Sequence, residues 1–186
     1  MDTFFDTLRG DSRSLLRAPR DFFRSLREED DFSRPLFFML GMILIATVLW
    51  TAYGVKLVWT RFDSVQIAEM RTILAVRIAF FLLKDALQTL LYAVLGAILL
   101  QGYARLNAVS LEYRHAFLIA AYCAPASPLL ALGAFLHGAP HSLWLALASA
   151  YTGFLLWCGL VEFAGLPAGR ASLPPILFAA ASYFLH

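Results

Sequence analysis

The run "DDFSRPLFFMLGMILIATVLWTAYGV" (Asp30 to Val55) changes solvent at Pro35. Before it the chain is thick with alternating charge; from Pro35 to Val55 the phenol of Tyr53 is the sole ionisable group. A helix rising 1.5 Å per residue needs about 20 residues to cross a hydrocarbon core of roughly 30 Å, and residues 35–55 meet that length. The run therefore predicts a membrane span. Asp31 and Ser33 are candidate helix caps, and Pro35 suits a first turn, where its missing N–H has no intrahelical partner to lose. Arg34, at the lip, is placed to meet a lipid phosphate.

Composition extends this reading to the whole chain. With 60% hydrophobic and 15% charged residues and a mean hydropathy of +0.69, the sequence is more apolar than soluble domains. The N-terminal "MDTFFDTLRGDSRSLLR" lacks the basic start, apolar core and small-residue cleavage site of a signal peptide, so the span is expected to stay in the mature protein. A formal charge of +2, evenly spread, gives no footprint for nucleic acid.

Residues 1–34 read as a cytoplasmic region in which "FFDTLR" (Phe4 to Arg9) recurs as "FFRSLR" (Phe22 to Arg27). The copies are 18 residues apart, five helical turns, with Gly10 and Pro19 expected to interrupt the helix. Two short amphipathic helices on the membrane surface are predicted, with Phe4, Phe5, Leu8, Phe22, Phe23 and Leu26 inserted and arginines at the headgroups. A docking motif for a soluble partner is the alternative.

Further uncharged or apolar runs over 86–104, 116–136, 143–161 and 171–186 complete a five-span, all-α transmembrane bundle occupying residues 35–186. Gly96 and Ala97 are its small packing positions in the second span. Residues 65–84 mix charges such as Arg77 and Lys84 with apolar side chains, and are expected as an interfacial helix leading into that span, with Lys84 and Asp85 anchoring it at the interface. Seven arginines in residues 1–34, then Arg105, Arg114 and Arg170, favour a cytoplasmic N-terminus and a C-terminus outside. If 72–83 crosses instead, both termini lie inside.

The order of an acidic-basic N-terminus, "DFSRPLF" at the first span and "YRHAFLIAAYCAPASPLL" (Tyr113 to Leu130) at the third resembles the Yip family, the Ypt-interacting-protein membrane domain, in its prokaryotic form. The resemblance runs from about Pro19 to the end and implies five spans behind a cytoplasmic N-terminus. Its first motif, Asp-Leu-Tyr-Gly-Pro followed by an apolar and an aromatic residue, matches at Asp31, Pro35, Leu36 and Phe37, with Phe32 in place of Leu. Ser33 and Arg34 depart from the Tyr-Gly pair, so the GTPase-linked role of eukaryotic members is not carried over. A later Tyr shortly before a Pro matches Tyr122 and Pro125.

No catalytic motif emerges: the chain has no GxSxG, no HExxH and no phosphate-cradling glycine loop. Cys123 and Cys158 sit in apolar runs without ligand spacing and read as small hydrophobes. His137 and His141 flank a Gly/Pro turn rather than share a helical face, and His115 and His186 fall at membrane edges. No metal or cofactor is expected. Glu162, ringed by apolar residues in "LWCGLVEFAGL", reads as one half of an ion pair with Arg114 or Arg170, a proton-relay role being the alternative. Pro125 and Pro128 are expected to break the third span near its middle. The sequence thus points to a non-enzymatic inner-membrane protein organising lipids or partner proteins, a second copy of itself included. A small permease or lipid-handling transporter with a site at the third span is the alternative.

Overall fold

The computed structural model describes residues 4–27, 32–61, 64–123, 128, 132 and 141–177, and every element among them is helical. The helices are α1 (Phe4–Arg17), α2 (Pro19–Ser25), α3 (Ser33–Arg61), α4 (Ser64–Leu106), α5 (Tyr113–Tyr122), α6 (His141–Ala164) and α7 (Ala168–Ala171). Within them, Ser33–Gly54, Ala86–Leu106 and Ala146–Ala164 are long and apolar enough to cross a membrane. The protein is an all-helical membrane protein with three candidate spans among the described residues. Of the expected third span only residues up to 123 and two isolated positions are described, and of the fifth only residues up to 177; the remainder of both lies outside the described residues.

Local sequence explains where the helices start and stop, and corrects two expectations. Gly10 does not interrupt α1, since one interior glycine costs only about 1 kcal/mol. The break falls instead at Ala18 (φ −148°), after which Pro19 opens α2 with its fixed φ. In α3, Ser33 is the first helical residue rather than a cap, and Pro35 sits in the first turn. Asp31 lies outside the described residues. The α4 C-terminus closes on Ala108 (φ +58°), with the Val109 N–H donating to the Ala104 carbonyl and the Ala108 N–H to that of Arg105, both at 3.0 Å. Gly165 (φ +62°) takes the left-handed position after α6, at no steric cost.

The helix expected over 65–84 runs without a break into the second span: residues 64–106 make one continuous helix of 43 residues. From Ser64 to Leu95 there is no glycine or proline to break the backbone ladder, and the Lys84–Asp85 pair marks polarity without interrupting it. At 1.5 Å per residue α4 is about 65 Å long, twice a hydrocarbon core.

α4 packs against α3 and α5, and α3 also meets α5 and α1. α2 lies across α6. The buried core runs through these contacts, from Leu15, Phe22, Phe23 and Leu26 to Phe38, Ile119, Tyr122, Leu155 and Leu160. Glycines admit two of the approaches: a Cβ on Gly41 would fall 2.7 Å from the Leu8 methyls, and one on Gly159 would fall 2.6 Å from Ile119.

Candidate functional site: a buried ionic clamp and an intramembrane cleft

Phe4, Leu8, Asp11 and Leu15 recur at intervals of four and three and so share one face of α1. That face turns onto the bundle, carrying a carboxylate into an otherwise apolar seam. Asp11 is 2% exposed, and an unpaired charge there would cost several kcal/mol. Arg34 answers it with a two-pronged contact, Nη2 to Oδ1 at 2.7 Å and Nε to Oδ2 at 3.2 Å. The Tyr122 hydroxyl donates to Oδ2 at 2.9 Å from the far end of α5. Tyr122 is itself fully buried, its ring centroid 4.7 Å from that of Phe38 and 4.8 Å from that of Phe22. Three segments of chain are thereby tied at one carboxylate.

The residues singled out from sequence fall on both sides of this clamp. Tyr122 and Arg34 belong to it; Pro35 beside them is buried, Leu36 is half-buried against the core, and Phe37 is exposed with its ring edge-on to Phe4. Arg34 is thus committed to Asp11, where a lipid phosphate was expected. Pro125 lies outside the described residues, and Pro128 is helical and half-buried. Asp11 was missed, although a carboxylate in the apolar seam of a helix is a signal that it must find a partner.

Glu162 is paired with neither of its expected cations. α2 crosses α6 at this point and brings Arg20 (Nε to Oε1, 3.2 Å) and Arg24 (Nε to Oε2, 3.2 Å) to the carboxylate. The Arg20 guanidinium also stands 5.2 Å from the Trp157 ring, a cation–π contact. Arg114 is half-buried at the start of α5, and Arg170 contributes its carbonyl to the Tyr103 hydroxyl at 2.6 Å.

The membrane-surface expectation for Phe22, Phe23 and Leu26 is likewise corrected, since all three are in the core. An apolar helix face is satisfied equally by lipid or by protein, and here α5 and α6 cover it. Phe22 and Phe23 meet Tyr122, and Phe23 meets Phe163, on which His115 stacks at 4.8 Å. Phe4 and Leu8 are half-buried, whereas Phe5 is 71% exposed.

Between α4, α5 and α6 opens an apolar cleft of about 590 Å³, lined by Ala93, Gly96, Leu100, Ala120, Cys123 and Leu156 among others. Pro174 and Leu177 close one side. Gly96 keeps its wall low, while Ala97, one residue on, is fully buried in the helix packing. Among the described residues its few polar side chains are Thr89, Thr152, Tyr92 and Tyr103, and the Thr152 hydroxyl already donates to Ala148 at 2.9 Å. Cys123 and Cys158 are free thiols. A cleft of this size and lining can hold a hydrocarbon chain but offers little to a polar solute.

No curated protein and no solved structure matches the chain. The family model of the Yip1 domain, in contrast, matches residues 13–186, from the middle of α1 onward. A match over nearly the whole length makes the chain a member of the Yip1 domain family.

Proposed function

We propose that this Yip1-domain protein is a non-enzymatic membrane protein that organises bilayer lipid by holding an acyl chain in the cleft between α4, α5 and α6. The carrying observation is the cleft itself: about 590 Å³, predominantly apolar, and flanked by two candidate spans, so that in a bilayer its surroundings are hydrocarbon. Its volume is in the range of roughly 300–1,000 Å³ found for small-molecule pockets. The proposal includes five spans, an inner-membrane location, a cytoplasmic N-terminus and a C-terminus outside, supported by the Lys/Arg distribution. The apolar lining favours retention of lipid over the permease reading, which needs polar groups along a path.

Native mass spectrometry of the purified protein tests this. Wild type is expected to retain lipid, and Gly96→Leu, which fills the cleft, to lose at least half of it. Leu91→Trp adds bulk on an exposed face that does not line the cleft, and is expected to keep it. Equal retention by all three proteins would remove the cleft from consideration.

A further inference from the structure

A second concavity, of about 430 Å³, lies where α1, α2 and the first turn of α3 meet. Arg13 and Arg17 reach it from α1 and Arg34 from α3; among the described residues, Asp21 is the one carboxylate on its wall. Arg34 is held at the back by Asp11, its side chain still one-third exposed. Arg13 and Arg17, four residues apart and so on one face of α1, have no ion-pair partner among the described residues. Asp21 is turned to Arg24 at 3.6 Å. Of the two hydroxyls at the rim, that of Ser25 donates to the Phe22 carbonyl at 2.8 Å, which leaves Ser14 as the available donor.

From these observations we infer that the pocket binds a phosphate group. The Arg13 and Arg17 guanidiniums, without an ion-pair partner among the described residues, offer the forked donors that phosphate oxygens accept bidentately, with the Ser14 hydroxyl beside them, while Arg34, its own fork given to Asp11, adds positive charge at the back. Arg34 is the second residue of α3, at the beginning of a candidate span, which sets the pocket at the depth where lipid headgroups begin. The phosphate therefore comes either from an anionic phospholipid or from a free phosphate in the adjoining aqueous phase. Because α1, α2 and α3 all contribute, the site is complete only when the N-terminal helices are docked. A bound phosphate accordingly stabilises the docked state by mass action. This site is distinct from the acyl-chain cleft and does not depend on it.

The test uses the full chain in detergent, with thermal unfolding followed as inorganic phosphate, dihexanoyl phosphatidic acid or dihexanoylglycerol is added. Phosphatidic acid is expected to raise the melting temperature in a saturable manner, and Arg13→Gln/Arg17→Gln to weaken the apparent affinity at least tenfold. Both arginines are exposed, so the double variant is expected to melt like wild type without ligand. Should it not, Asp21→Asn gives an independent reading, since removing this wall carboxylate should tighten binding. A saturable shift with inorganic phosphate at similar concentration assigns the site to free phosphate, and a shift confined to phosphatidic acid assigns it to a headgroup. No saturable shift with either probe, an equal shift with dihexanoylglycerol, or indifference of affinity to both sets of substitutions would overturn the proposal.

Discussion

At the scale of single residues, the asymmetry between Asp11 and Arg34 decides what each substitution does. Asp11 has almost no water of its own, whereas the Arg34 side chain is one-third exposed. Arg34→Ala leaves a buried carboxylate with only the Tyr122 hydroxyl, and is expected to cost about 3–5 kcal/mol. Asp11→Asn leaves a cation that solvent can reach, and is expected to cost less, about 2–3 kcal/mol. Tyr122→Phe removes one hydrogen bond to a charged acceptor without opening a cavity, a loss of about 1.5–3 kcal/mol. Chemical unfolding in detergent would rank the three; an Asp11→Asn protein less stable than Arg34→Ala would contradict the burial argument. Asp11 escaped the sequence reading because its partners are 23 and 111 residues away, and nothing local to α1 names them.

Among the elements, α2 shows how a correct pattern gave a wrong neighbour. The Phe-Phe-x-x-Leu repeat does mark apolar faces, but period alone does not say whether lipid or α6 covers them. Phe23→Ser is therefore expected to destabilise the whole protein by about 3–5 kcal/mol, as large core truncations do. Phe5→Ser, on an exposed side chain, should shift stability by less than about 0.5 kcal/mol. Differential scanning fluorimetry separates these outcomes, and a Phe23→Ser protein that melts like wild type would restore the surface-helix reading. The latch between α2 and α6 has its own asymmetry. Arg20 and Arg24 are at least half exposed, so removing either alone should cost under about 1 kcal/mol. Removing both strands Glu162, only 11% exposed, and should cost more than Glu162→Gln, which leaves two solvated cations. Hydrogen exchange at the α2 amides would report this order.

For the whole molecule, hydropathy carried most of what was legible: the expected spans at 35–55, 86–104 and 143–161 coincide with stretches of sufficient length and apolarity in α3, α4 and α6. Helix continuity was less so, because Lys84 and Asp85 signal a change of polarity while the absence of glycine and proline keeps the backbone running. The apolar cleft had no signature at all, being made by the separation of helices rather than by any one of them. The proposed odd number of spans predicts that a reporter fused after His186 is active outside the cytoplasm. Activity inside would exclude the five-span arrangement.

The ties from α1 and α2 to α5 and α6 also set a timetable for biosynthesis. Arg24 waits for a partner that is 138 residues further along the chain. At translation rates of 5–20 residues per second that interval is roughly 7–30 s. Throughout it Phe22, Phe23 and Leu26 have no α6 to cover them, and for most of it Asp11 has no Tyr122. The ribosome-bound nascent chain therefore displays, for many seconds, an aromatic face that the finished protein hides, which is the window in which a chaperone or the bilayer surface itself can hold it.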